Sequence, residues 1–146
     1  MITSIRFDSA INKLYNAFHN NTLNPEDCKQ CAVGNILDNK DSWQHLTDFH
    51  GTKKLNYLGL IHQNLDRKFN GYTPLELLQI EAAFLKGCDY KLTPSRRLHR
   101  PKHFNDTILF NGLCKVVSQL CTLDNIENVM DCSALFKFEE QLEPQS

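Results

Sequence analysis

The stretch NPEDCKQCAVGNIL, residues 24–37, places Cys28 and Cys31 three positions apart. On a helix that spacing sets both thiols on one face, with Cβ atoms about 5–6 Å apart. Two thiolates so placed can share a metal ion or close a short disulfide. Cys-x-x-Cys is a recurrent zinc half-site, and a structural zinc takes four ligands. The chain holds no second Cys-x-x-Cys. Further ligands for zinc or an iron–sulfur unit would come from far along the sequence, and Cys88 and His19 are the first candidates, with His50 and His62 behind them. Cys88 directly follows Gly87, a helix stop, and is expected to be partly exposed. A thioredoxin-like role needs the attacking thiol at a helix N-terminus after a strand, where the dipole lowers its pKa. Pro25 puts Cys28 nearly a turn inside, and no strand precedes it. The plain alternative is a buried face of small residues, since unpaired cysteine is among the most buried residue types. Core, metal site and redox pair all stay open for Cys28 and Cys31.

A second constellation is basic. Lys91, Arg96, Arg97, Arg100 and Lys102, with His99 and His103, form the one strongly positive window. Such a window can meet phosphates or an acidic partner. Pro94 and Pro101 prevent one continuous recognition helix, and no aromatic lies between 91 and 103 to stack a base. We therefore read Arg96, Arg97, Arg100 and Lys102 as a candidate anion or protein-partner patch, against the alternative of a solvated connection, and expect no nucleic acid. Cys114 and Cys121 share a stripe with Val117 and read as core. No Gly-x-Ser-x-Gly, phosphate-binding glycine loop, dinucleotide fingerprint or His-Glu-x-x-His is present. Without a complete catalytic set, no catalytic residue is assigned.

The elements that position these residues are helical. Phe7, Ala10, Ile11, Leu14 and Phe18 follow the 3.6-residue period and predict a helix over 4–19. Asn24, Pro25, Glu26 and Asp27 make a start signal, and the helix they open should reach Leu37. Gly34 inside it costs about 1 kcal/mol relative to alanine, which a close approach of another element would explain. A short helix is expected over 42–49 with Trp43 and Leu46. Another over 53–68 presents Leu55, Leu58, Ile61 and Leu65, and Asn70-Gly71 then breaks the chain. Thr73, Pro74 and Glu76 form a capping box with proline at the first helical position. That helix carries Leu77, Ile80, Ala83 and Phe84 inward and ends at Gly87, as a left-handed stop. Residues 88–104 read as a surface connection. Helical spacing resumes from Ile108 to Leu120, and Asp124–Glu127 opens a last helix. The fold class is all-α: one domain over 1–138, six or seven short unequal helices in an irregular bundle with steep crossings, and a frayed acidic tail over 139–146.

With 146 residues, 41% apolar and 23% charged, the chain can enclose a core of its own. A net charge of −1 gives no global attraction for nucleic acid or anionic lipid. No apolar run approaches the roughly 20 residues of a membrane span. MITSIRFDSA has an acid at Asp8 and no apolar signal core, so a cytoplasmic location with reduced thiols is expected.

At FDSAINKLYNAFHN, NPEDCKQCAVGNIL and FNGYTPLELLQIEAAFLKGC, over roughly residues 5–90, the chain resembles a group of short uncharacterised bacterial proteins. These often carry the label of the NADH-oxidising subunit of the sodium-translocating NADH–quinone reductase. The label implies FAD, a [2Fe–2S] cluster and NADH oxidation. This sequence has neither a flavin or nicotinamide domain nor the Cys-x4–5-Cys-x2-Cys spacing of that cluster. What the resemblance leaves is an association with electron transfer. Our expectation is a soluble helical binding or accessory protein with a protein partner and no resident cofactor. The alternative is a metal or redox protein built on Cys28 and Cys31.

Overall fold

The computed structural model describes residues 5–49, 51–92, 98–102 and 105–126. These form five α-helices: α1 (Ile5–His19), α2 (Ala32–Ile36), α3 (Tyr57–Asn64), α4 (Pro74–Gly87) and α5 (Asp106–Leu123). A 3-10 turn, Ser42–Leu46, lies between α2 and α3. Two-residue strands β1 (Lys91–Leu92) and β2 (Leu98–His99) pair antiparallel, Lys91 opposite His99. The all-α class is as expected; the described residues hold five α-helices and one 3-10 turn against the six or seven helices anticipated for the whole chain. The helix expected from Asp124 onward and the tail 139–146 fall beyond Ile126, outside the described residues.

Where caps and period agree, the helices form as expected. α1 buries Phe7, Ala10, Leu14, Ala17 and Phe18. At α4, Thr73 Oγ1 accepts from Glu76 N at 3.3 Å, and Glu76 Oε1 accepts from Thr73 N at 2.9 Å, with Pro74 in the first turn. Asn105 opens α5 by accepting from Ile108 N at 3.0 Å. Inward side chains from these three helices join Trp43, Leu46 and the α2 residues in one core, from Phe7 to Cys121.

α4 and α5 form the most intimate helix pair. Gly87 is not the left-handed stop expected of it; Asp89, with φ 62°, takes that conformation. Gly87 instead lets α5 approach. A Cβ there would lie 2.8 Å from Gly112 Cα and 2.9 Å from Asn111 O. Facing it, a Cβ on Gly112 would collide with Cys88 Sγ and stand 3.0 Å from Phe84 Cδ1.

Arg6 ties the ends of three helices together. Its Nε donates to Asp124 Oδ1 at 2.7 Å, and its Nη1 donates to Gly71 O at 2.8 Å and Glu76 Oε1 at 3.1 Å. The guanidinium lies 4.5 Å over the ring of buried Tyr72, whose hydroxyl donates to Arg6 O at 3.3 Å. Burial opposes the guanidinium's charge, yet the bonds to Asp124 and Glu76 outweigh it and leave the pKa raised. A planar five-donor fork suits this site, and an ammonium does not.

The packing makes two substitutions informative. In an open helix Gly→Ala gains about 1 kcal/mol, whereas Gly112→Ala here should cost about 1–3 kcal/mol in urea unfolding, because the added methyl overpacks the crossing. Stabilisation would show that α4 and α5 do not meet there. Arg6→Lys should lose about 2–4 kcal/mol, leaving Asp124 and Glu76 poorly paired; an unchanged midpoint would remove Arg6 from the centre of the fold.

Candidate functional site

The dithiol stretch is not the helix expected over 24–37. Asn24 and Asp27 are short polar residues that bond nearby backbone and so compete with helix formation. Asn24 Oδ1 accepts from Glu26 N at 3.0 Å and Asp27 Oδ1 from Lys29 N at 2.9 Å. Asn24 N donates to Gln30 O at 2.7 Å, closing 24–30 into a loop of turns. Helix begins only at Ala32, with Cys31 as its extended cap, Sγ accepting from Gly34 N at 3.3 Å. The close approach expected at Gly34 is real, but the neighbour is this loop: a Cβ there would stand 2.6 Å from Lys29 O.

The two thiols therefore do not sit side by side on a helix face. Cys31 is fully buried and Cys28 half-buried. The carbonyl of Cys28 accepts from Trp43 Nε1 at 3.0 Å, which pins the loop to the 3-10 turn. Beneath the loop lies the α4 carboxylate of Glu81, which is 1% exposed and accepts from Val33 N at 3.3 Å. Burial, then the Glu81 charge, raises the Cys28 thiol above its ordinary pKa, and the same two causes raise Cys31 further. Cys88, expected to be partly exposed, is fully buried: it caps the end of α4 and its sulfur packs on Gly112. Its thiol too is raised, first by burial and then by Glu81. Cys28, Cys31 and Cys88 form no disulfide. Metal ligation and nucleophilic attack both need thiolates, which burial and the Glu81 charge disfavour here. His19 closes α1 with its ring against Tyr15 and Phe18. Among the described residues, no group of three or more His, Cys, Asp or Glu is placed to hold a metal ion.

Of the basic patch, Arg96 and Arg97 lie outside the described residues. Lys102 is exposed. Arg100 pairs with Glu26 at 3.0 Å, and Glu26 also accepts from Tyr90 OH at 2.8 Å. Burial and that bond push the Tyr90 hydroxyl up to about 12. Arg100 thus faces a carboxylate of its own chain and ties the β1–β2 pair to the dithiol loop.

The largest departure from a sealed surface is α3. Asn56 caps it, accepting from Gly59 N at 2.8 Å while its Nδ2 donates to His45 O at 2.8 Å. At 100° per residue, Tyr57, Leu58, Leu60, Ile61 and Leu65 fan over one broad arc, and Gly59 lies opposite. Gly59 is the buried residue of this helix, because a Cβ there would collide with Leu46 O. The large side chains face out: Tyr57 is 81% exposed, Leu65 59% and Leu60 48%, with Leu58 and Ile61 also exposed. Together they form an apolar surface patch, and the largest such patch on a monomer is often functional. Beside it opens a cavity of about 340 Å³ lined by residues that include Thr47, Phe49, Leu55, Tyr57 and Leu60. A smaller cavity of about 120 Å³ shares Thr47, Asp48 and Phe49 with it and reaches Cys28 and Trp43. Periodicity marks Leu58, Ile61 and Leu65 as one helix face, without Tyr57 and Leu60. The overlooked signal is the window NYLGLIHQNL, residues 56–65, which is apolar on several sides of a glycine and carries no Asp, Glu, Lys or Arg. Glu81 also escapes a sequence reading, because a carboxylate in a helical sequence ordinarily marks a solvated face.

No protein-family model, no curated protein and no solved structure matches the chain. The chemistry of the site therefore stands on its own residues.

Thiol chemistry checks this arrangement. With Ellman's reagent, folded protein should expose Cys28 only slowly near neutral pH, and Cys31 and Cys88 only on unfolding; Cys28→Ser identifies the first. Raised folded-state pKa values mean that the thiols' contribution to stability is complete below the ordinary value of 9.0 and is lost as pH rises above it. The urea midpoint should fall through that alkaline window. Rapid neutral-pH labelling of Cys31, or stability that climbs above pH 9, would contradict the geometry.

Proposed function

We propose that this chain is a helical binding or accessory protein that holds a partner protein and performs no chemistry of its own. The observation that carries the proposal is the outward apolar arc of α3, with the cavity of about 340 Å³ beside it. Burying a leucine-sized side chain yields roughly 1.5–3 kcal/mol, so five such residues in water leave a large unrealised association energy. A cavity next to an apolar helix is the usual form of a helix-in-groove site, where one anchoring side chain enters the pocket. The loop that carries Cys28 supports it structurally: the Cys28 carbonyl accepts from Trp43 Nε1 and holds the 3-10 turn on which α3 rests. No helix among the described residues is long and apolar enough to cross a membrane. We assign the chain to the cytoplasm, where its cysteines stay reduced.

The metal or redox reading of Cys28 and Cys31 is second. Its one favourable observation is that Cys28 lines the smaller cavity next to the same surface.

Tyr57→Ser, Leu60→Ser and Leu65→Ser combined should leave thermal stability within a few degrees, since exposed substitutions each act within about 0.5 kcal/mol. The same triple variant should lose most binding of the dye 8-anilinonaphthalene sulfonate. A fall of several kcal/mol would mean that these residues belong to a core, and the proposal would fail.

A further inference from the structure

Resting on the reading of α3 as a binding face, the charges around it specify the partner. Tyr57–Asn64 carries no charged side chain. Lys53 and Lys54 precede the helix and Arg67 and Lys68 follow it, all exposed. None of these four makes an ion pair with a described residue. The acids nearest in sequence are Asp48, whose Oδ1 accepts from Asn56 Nδ2 at 3.3 Å, and exposed Asp66. The face is thus an uncharged apolar strip with exposed cations before and after it; of these Lys54 lines the adjoining cavity, while Lys53 also borders α4 and α5 and Lys68 borders Leu37 and Asn70.

We propose that it receives an amphipathic helical segment of a partner protein, apolar along one side and acidic at its flanks. The apolar side would lie on Tyr57, Leu58, Leu60, Ile61 and Leu65, with one bulky side chain in the cavity floored by Phe49, Leu55 and Leu60. Acidic flanks would meet Lys54, which lines that cavity, at one end and Arg67 at the other, which sets orientation and speeds encounter. A second copy of this chain fits less well. An antiparallel pairing of two α3 helices would bring the cations before the helix in one copy near those after it in the other. An anionic lipid surface would meet the same cations, but it offers no single side chain to fill the cavity.

The test uses the full chain and two fluorescein-labelled synthetic helices with the same leucine and phenylalanine face, one flanked by glutamate and one by lysine. Fluorescence anisotropy should show the glutamate-flanked helix binding at least about tenfold tighter, with the advantage shrinking as salt rises, because exposed charges are screened. Reversing the cations (Lys54→Glu and Arg67→Glu) should invert the preference, and Leu60→Ser with Leu65→Ser should abolish both bindings. Equal affinity for the two helices would overturn the charge inference while leaving the α3 binding face standing. Binding of neither helix, with self-association or capture by phosphatidylserine–phosphatidylcholine vesicles instead, would replace the occupant and overturn the proposal. No binding in any of these arms would overturn the binding reading itself.

Discussion

The arrangement turns on one backbone contact. α3 lies so close to the 3-10 turn that only the hydrogen of Gly59 fits under the carbonyl of Leu46. Asn56 sews the two together: its N–H donates to the same Leu46 carbonyl at 2.9 Å, and its side chain bonds both His45 O and Gly59 N. An amphipathic helix ordinarily buries its largest side chains and shows its small or polar ones to water. Here the smallest residue is inward and the large ones are outward. The helix cannot roll to bury Leu58 or Ile61 without lifting off the carbonyl and breaking the Asn56 bonds.

The rest of the molecule makes that seat rigid. Leu46 is buried beside Trp43, whose indole N–H holds the Cys28 carbonyl and hence the loop over Gly34. At the other end of α3, Gln63 Oε1 accepts from Leu75 N at 2.9 Å, in the first turn of α4. That turn is held by the capping box and by Arg6, which also reaches Asp124 at the end of α5. Glycine recurs wherever elements touch most closely: at Gly34, Gly59, and Gly87 against Gly112. Close approach thus replaces side-chain bulk at several contacts, and bulk is left over for the surface.

The parts legible in the sequence are those where local signals agree. α1, α4 and α5 have a 3.6-residue apolar period, and α4 adds a capping box at the right place. The 24–37 segment misleads because Asn24 and Asp27, apt helix starters, commit their side chains to turns. α3 is legible as a helix, but periodicity marks an apolar face without saying what covers it. Which side is buried depends on Leu46, ten or more positions away, and on a glycine contact that no local pattern records. Likewise, the proximity of Glu81 to Cys31 and Cys88 is a product of packing, as is the pairing of Arg100 with Glu26. Both bear on the chemistry open to those residues: burial and Glu81 raise the thiol pKa values, and Glu26 already partners Arg100.

The central claim, that α3 wears its apolar side outward, is open to direct measurement by hydroxyl-radical footprinting of the dilute full-length chain, read by mass spectrometry. Tyr57, Leu60 and Leu65 should label many times faster than Leu77, Ile80 and Leu113, which are fully buried. Equal protection of the two groups would contradict the account, because it would place the α3 side chains inside the fold.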